Sequence, residues 1–310
     1  MPVCHPPRAG LIVLLGPTAS GKTGLAIALA ERYGFPLLSA DSRQVYRSMD
    51  VGTSKASAEE RRRVPHGLID LRDPDQPMTV REFQTAAEAA IADCHARRLT
   101  PLLVGGSGLY LAAITRGLTP PDVPPQPLLR EQLDRLGQGW AHGLLSRADP
   151  ASAARISPSD RPRTQRALEV LYATGRPSSS QQRRCPPSYP VLELGLNPAD
   201  LHERINRRTA AMFRGGLLQE TAVLMGRYGA DLPMLDTPGY AEARQVLRRQ
   251  LGLEQAIAIT ARRTRQLARR QLSWFRSQHS PRWLSSDGLD AARAELTGWA
   301  EASAVDGLRL

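Results

Sequence analysis

Leu11-Ile12-Val13-Leu14-Leu15-Gly16-Pro17-Thr18-Ala19-Ser20-Gly21-Lys22-Thr23 decides how this chain folds. The apolar run Leu11–Leu15 reads as a short buried strand, and Gly24-Leu25-Ala26-Ile27-Ala28-Leu29-Ala30 beyond the stretch reads as a helix. Between them lies a glycine loop closed by a lysine and a hydroxyl, which is a phosphate-binding loop in its strand-to-helix context. Glycines let consecutive backbone N–H groups turn inward around a phosphate, and the helix N-terminus adds positive partial charge. Lys22 supplies a mobile cation, and Thr23 a hydroxyl able to ligate Mg2+. Gly16, Pro17, Thr18, Ala19, Ser20, Gly21, Lys22 and Thr23 are therefore the candidate phosphate-holding residues. Of the 41 Lys and Arg residues, only Lys22 and Lys55 are lysines. A chain that uses arginine almost everywhere keeps lysine at the loop, because a phosphate cradle accepts a point charge on a flexible stem more readily than a planar fork.

Downstream, Phe35-Pro36-Leu37-Leu38-Ser39-Ala40-Asp41 reads as a second strand that ends in Asp41, followed by a loop or helix start at Ser42-Arg43-Gln44-Val45-Tyr46. Open α/β sheets bind ligands at the carboxyl ends of their parallel strands, so Asp41 is expected to face the crevice of the phosphate loop. As a helix N-cap it would have a purely structural role. Met49–Lys55 is loop-like, Glu59–Arg63 is a solvated charge run, and His66–Leu71 is a candidate third strand. Thr79 to Arg97 has helical spacing, with Thr79 and Glu82 as a capping box. Pro101 to Tyr110 repeats the strand, glycine turn and helix pattern, with Ser107 at the strand's carboxyl end. No Asp ends this strand, although nucleotide hydrolases usually place a magnesium-holding Asp there.

The proline-rich stretch Gly117–Pro127 breaks the pattern, and residues 128–174 read as helices only, closed by Gly175. Arg176–Pro190 is loop-like, and Val191–Leu196 resumes the sheet. The expected fold is a P-loop NTPase-like α/β parallel sheet with flanking helices, formed by residues 1–118 and 189–310, with an all-helical insertion at 119–188. Asp200 and Glu203 suggest a second capping box, opening a helix with Arg204 and Arg208 on one face. A last helix from about Glu254 to Gln278 holds Arg262, Arg263, Arg265, Arg269, Arg270 and Arg276 against Glu254, with Ile257, Thr264, Leu267 and Trp274 as its expected buried side. So one-signed a face repels itself unless an anion lies against it, and a phosphate backbone fits.

Bulk composition narrows the class. No run of about 18 apolar residues spans a membrane, and Met1–Pro7 lacks the charged start and apolar core of a signal peptide. Cys4, Cys94 and Cys185 lie far apart, which fits a reducing cytoplasm and argues against a disulfide framework or a zinc ribbon. The six histidines show no ligand spacing, so no structural metal is expected. A net charge of +11 points to a polyanionic partner. Arginine bias explains Arg over Lys but not the excess of positive charge.

Taken together, the phosphate loop, Ala40-Asp41-Ser42 with Val45-Tyr46, Met49–Thr53, His66, Asp73-Pro74, Leu103–Tyr110, Arg166–Val170, Arg204 to Arg208, Gly239-Tyr240 and Arg265–Gln271 resemble the bacterial tRNA dimethylallyltransferases, over nearly the whole chain. The resemblance implies transfer of a dimethylallyl group to the adenine 3′ of certain anticodons. The loop would then hold the pyrophosphate of dimethylallyl diphosphate rather than ATP, which suits the missing strand-end Asp. It implies Asp41 as acceptor of the amine proton and Ser107 and Arg208 as diphosphate holders; Mg2+ on Thr23 is the expectation of the phosphate loop itself. It implies tRNA contacts from Asp41, Ser42, Arg43 and Gln44 and from Pro162, Arg163, Thr164, Gln165 and Arg166; Gly239, Tyr240, Arg265 and Arg269 join them as expected tRNA contacts. The expected state is a cytoplasmic monomer away from membranes. Three positions depart from the family: Ser107 stands where Thr is more frequent, Ala241 where Lys or Arg is usual, and Arg269-Arg270 where the family has Lys-Arg. A small-molecule or nucleotide kinase is the rival reading, and it predicts ATP turnover.

Overall fold

Every residue of β1 (Leu11–Leu15) is fully buried, as a central parallel strand covered on both faces requires. The computed structural model describes residues 10–181, 183–285 and 288–303; Met1–Pro7, with Cys4 and His5, lies outside the described residues. After β1 come α1 (Lys22–Tyr33), β2 (Leu37–Ser39), α2 (Ala58–Arg63), β3 (His66–Gly67), α3 (Val80–Ala96), β4 (Leu102–Gly105) and α4 (Gly108–Thr115). Next are β5 (Leu118–Thr119), α5 (Pro127–Leu136), α6 (Gln138–Ala148), α7 (Pro150–Ala153), α8 (Arg161–Thr174), α9 (Ser178–Gln181) and β6 (Arg183–Arg184). The chain continues with β7 (Val191–Gly195), α10 (Leu201–Arg214), α11 (Leu217–Tyr228), α12 (Tyr240–Leu247), α13 (Leu253–Gln278), β8 (Arg282–Trp283) and α14 (Leu289–Ser303). Two compact units result: Arg116–Pro186, and the remainder of the chain on either side of it.

In the larger unit six strands run parallel in the order β3-β2-β4-β1-β7-β8. Leu15 pairs with Gly105 on one side and Gly195 on the other, so the carboxyl ends of β1, β4 and β7 finish level. One face packs on α1 and α14 through Leu25, Leu29, Leu296 and Trp299. The other packs on α3, α4 and the α10–α13 layer through Phe83, Leu111, Phe213, Tyr240 and Phe275. This doubly covered sheet is the expected P-loop-like α/β fold, and it puts the phosphate loop, Asp41 and Ser107 at one sheet end.

The smaller unit packs α5, α6 and α8 around Leu133, Leu145 and Leu168. Its buried Glu169 carboxylate accepts from Arg130 Nε at 2.6 Å and from the Gln126 N–H at 2.8 Å. Helices are not its whole content: β5 and β6 form a short antiparallel ribbon, paired Leu118 to Arg184. Gly117 adopts φ +57 there, and a Cβ on it would lie 1.7 Å from the Cys185 carbonyl oxygen.

Local expectations met several exceptions. The Thr79–Glu82 capping box forms, but Asp200 makes no side-chain cap; its carboxylate takes Arg204 Nε at 2.7 Å instead. The run Glu59–Arg63 belongs to a helix capped by Ser57 and Glu60, with Arg63 paired to Glu31. The third strand is only His66–Gly67, because Leu68 and Asp70 take left-handed φ values that end it. On α13 the buried residues are Ala256, Thr260, Ala261, Ala268 and Phe275, whereas Ile257, Thr264, Leu267 and Trp274 are half-buried. Small side chains face inward because α13 packs against both α10 and α12.

Candidate active site

The phosphate loop is shaped by its contacts at both ends. Gly16 admits no side chain, since a Cβ would lie 2.5 Å from the Leu196 carbonyl oxygen. Ala19 sits at φ +65, an uncommon conformation outside glycine that persists where the surroundings enforce it. Gly21, at φ +95, turns the chain into α1. From α13, Gln271 Oε1 accepts the Thr18 N–H at 2.9 Å, and its Nε2 donates to the Gly106 carbonyl at 2.8 Å. One amide thus ties the loop after β1 to the loop after β4.

Lys22 curls back over the loop and donates to the Pro17 carbonyl at 2.7 Å. Arg208, reaching in from α10, donates to the Thr18 hydroxyl at 2.9 Å and to Ser54 Oγ at 2.8 Å. Lys22, Arg208 and Asp41 line one cleft together with Thr18, Thr23, Ser54 and Gln271. Burial and then the nearby Arg208 charge push the Lys22 ammonium down to about 7, against the pull of Asp41. Burial likewise holds Arg208 below the usual guanidinium range, with Asp41 opposing. Two cations crowded on a phosphate loop with one carboxylate nearby form a site that an anion of two or more charges would relieve. The inner wall is apolar, built from Ala26, Leu37, Leu38, Ala56 and Val104.

Asp41 stands just past the end of β2 and accepts the Arg43 N–H at 2.8 Å, capping a tight turn rather than a helix. Ser107 lies beside it: its Oγ accepts the Ser42 N–H at 2.8 Å and donates to Ser42 Oγ at 3.2 Å. Ser107 therefore fastens the turn that carries Asp41. Gly105 permits this approach, because a Cβ there would lie 2.2 Å from the Ala40 carbonyl oxygen. Gln44 turns its amide inward, accepting from Ser39 at 3.0 Å and donating to the Thr53 and Ser54 carbonyls.

Some expected RNA contacts are structural instead. Gly239 and Tyr240 are buried, and the Tyr240 hydroxyl donates to Glu220 at 2.6 Å, so neither offers a surface to RNA. Thr164 and Gln165 are buried as well; Thr164 donates to the Asp160 carbonyl and Gln165 to Asp134. Their neighbours Pro162 and Arg163 are exposed, and Arg166 is held by Glu169 and the Pro121 carbonyl. On α13, Arg262, Arg269, Arg270 and Arg276 are exposed, Arg265 donates to Asn206 at 2.6 Å, and Arg263 is neutralised by the buried Glu242.

Thr53, Ser54 and Gln271 also line the cleft, although the sequence marks them only as members of the Met49–Lys55 loop and the Arg265–Gln271 block, with no site role of their own. The signal for the first two was Lys55, the second of the two lysines. Its buried ammonium donates to the Tyr46 carbonyl, Asp50 and Asp70, bracing the segment that presents Ser54.

A parallel sheet with a phosphate loop on its central strand, and a lysine and an arginine converging there, defines a P-loop-type phosphate-binding protein. The IPP transferase family model matches residues 44–278, and the isopentenyl transferase model matches residues 9–73. The chain belongs to the IPP transferase family. It is 57% identical over 279 residues to a tRNA dimethylallyltransferase of Parasynechococcus marenigrum strain WH8102, covering 90% of this chain and 93% of the relative. It is equally identical over 277 residues to one of Prochlorococcus marinus strain MIT 9313, covering 89% and 93% of the two chains. Among solved structures it resembles the tRNA isopentenylpyrophosphate transferase of Bacillus halodurans, at 35% identity and a TM-score of 0.69 over 97% of this chain and 98% of that one. It also resembles a eukaryotic dimethylallyltransferase described as acting on tRNA, at 27% identity and a TM-score of 0.75 over 96% of this chain and 77% of that one.

Proposed function

We infer that this chain transfers the dimethylallyl group of dimethylallyl diphosphate to the exocyclic N6 amine of the adenine 3′ of the anticodon in tRNA, releasing diphosphate. The observation that carries the reading is the meeting of Lys22 and Arg208 on the phosphate loop in the same cleft as Asp41. A kinase is disfavoured, since β4 ends at Gly105, is followed by Gly106-Ser107, and supplies no carboxylate for a nucleotide-bound metal.

An exocyclic amine is a weak nucleophile, and an allylic diphosphate breaks its C–O bond readily once the leaving group is neutralised. Lys22, Arg208 and the loop amides stabilise the charge that develops on the departing diphosphate. As the N6–C1 bond forms and the C1–O bond breaks, the Asp41 carboxylate takes the amine proton. Ser107 holds the turn that aims Asp41. The apolar wall of Leu37, Leu38 and Val104 suits the five-carbon chain and excludes water from it. The adenine must leave its stack to reach this depth, at a cost of roughly a few kcal/mol.

Magnesium fits this donor set only in part. Thr23 offers an exposed hydroxyl at the start of α1, and no cluster of three or more His, Cys, Asp or Glu suited to a metal exists among the described residues. Mg2+ would therefore be held by Thr23 and mainly by the donor's own phosphate oxygens. When bound it supplies further charge neutralisation of the leaving diphosphate.

For tRNA, the exposed Arg163 on α8 and Arg262, Arg269 and Arg276 on α13 supply cations to the phosphate backbone. The protein is read as a cytoplasmic monomer; no helix among the described residues is long and apolar enough to cross a membrane. Incubation with unmodified tRNA and labelled dimethylallyl diphosphate, followed by nucleoside analysis, tests the reading. Label on N6-dimethylallyladenosine supports it. Magnesium-dependent ATP turnover without label transfer would restore the kinase.

A further inference from the structure

Glu220, in the first turn of α11, does not line the cleft, yet its carboxylate gathers four donors. The backbone N–H groups of Asp50, Val51 and Gly52 reach it at 2.9, 2.7 and 3.0 Å, and the Tyr240 hydroxyl at 2.6 Å. Three consecutive N–H groups make a concave anion nest, and here the anion is a side chain of the protein itself. The next two residues are the ones that hold Arg208: Arg208 Nε donates to Ser54 Oγ at 2.8 Å and Nη2 to the Thr53 carbonyl at 3.4 Å.

Two features show how firmly this loop is held. Ser54 has φ +49, a left-handed conformation for a non-glycine residue that endures only where its surroundings over-determine it. Gly52 lies against the Tyr240 ring so closely that a Cβ would sit 2.3 Å from it. The Tyr240 ring thus backs the loop while its hydroxyl fixes the Glu220 carboxylate.

We propose that Glu220 is a positioning residue for the diphosphate clamp: it fixes the 50–54 loop so that Ser54 and Thr53 hold the Arg208 fork toward the donor's diphosphate, with Tyr240 as its brace. This rests on reading Arg208 as part of that clamp. An arginine fork contributes through its direction as well as its charge, so a loose loop leaves the cation present but misaimed. The loss falls on the prenyl donor and not on the RNA.

Steady-state kinetics of the full chain with tRNA and dimethylallyl diphosphate test this in a double-mutant cycle of Glu220→Gln and Arg208→Ala. Gln keeps the side chain's size but gives up one acceptor oxygen. Glu220→Gln is expected to raise the donor KM roughly tenfold and to leave the tRNA KM within about twofold, with little further effect once Arg208 is already Ala. Tyr240→Phe, which keeps the ring against Gly52, is expected to shift the same donor KM in the same direction by less. The proposal is overturned if Glu220→Gln leaves the donor KM unchanged, raises both KM values in parallel, or acts at full size in the Arg208→Ala background. A normal donor KM in Arg208→Ala alone would remove the clamp itself, a different failure from the other three.

Discussion

The Arg208 guanidinium on α10 donates to the Thr18 hydroxyl of the phosphate loop at 2.9 Å. A helix far along the chain therefore completes a site that a local strand-loop-helix unit begins. Lys22 stands in the same cleft. Arg208→Ala and Lys22→Ala should each raise the requirement for dimethylallyl diphosphate and slow turnover by roughly two to three decades, the scale seen when one donor to a developing anion is removed. Binding of tRNA should be unchanged. Loss of tRNA binding with normal donor kinetics would assign both residues to the RNA.

In the smaller unit the Asp149 carboxylate takes four hydrogen bonds, from the N–H and hydroxyl groups of Ser152 and Ser179. Asp149 is buried, which by itself raises its pKa, but hydrogen bonds from Ser152 and Ser179 outweigh burial and hold it down to about 2. A carboxylate with a depressed folded-state value stabilises the fold above its ordinary range near 3.8, and that contribution is lost as pH falls through about 2. Amide-exchange protection in α6–α9, corrected for the intrinsic exchange rate and followed between pH 5 and pH 2, should fall more in the parent protein than in Asp149→Asn, which lacks the titrating group. Identical pH dependence in the two would place the acid sensitivity elsewhere.

The exposed arginines of α13 make an electrostatic prediction. Arg262, Arg269 and Arg276 are exposed, and their successive seven-residue spacings put them along one stripe. If a phosphate backbone lies on that stripe, replacing all three by Ala should make the slope of log affinity for tRNA against log salt shallower by about two to three units. Donor kinetics at saturating tRNA should stay the same. A slope equal to the parent's would mean that these charges are only solvated.

How far the sequence carries depends on how local each cause is. The β1-loop-α1 unit, the Thr79–Glu82 cap and the glycine turn after β4 arise from neighbours within a few residues, and all are readable. Asp200 has the pattern of a cap, yet an arginine one turn on claims its carboxylate. The buried side of α13 is hidden because periodicity marks large apolar residues, whereas close packing on α10 and α12 selects Ala256, Ala261 and Ala268. Tyr240 is expected at the RNA from the Gly239-Tyr240 block alone; only the fold brings Glu220 and Gly52 against it. The retained lysine at position 55 shows the opposite case, since arginine's fork does not match three oxygens converging on a buried point charge.

Prenyl transfer in the cleft with Asp41 as proton acceptor makes Asp41→Asn the decisive variant. Asn keeps the size of the side chain and an oxygen to accept the Arg43 N–H, but it removes the base. The measurement is single-turnover transfer of label from dimethylallyl diphosphate to tRNA, with tRNA affinity determined in parallel. Unchanged tRNA affinity is expected, with a transfer rate lowered by roughly two to four decades, the usual scale for loss of a general base. A transfer rate within about threefold of the parent's, well short of that scale, would remove Asp41 from the chemistry.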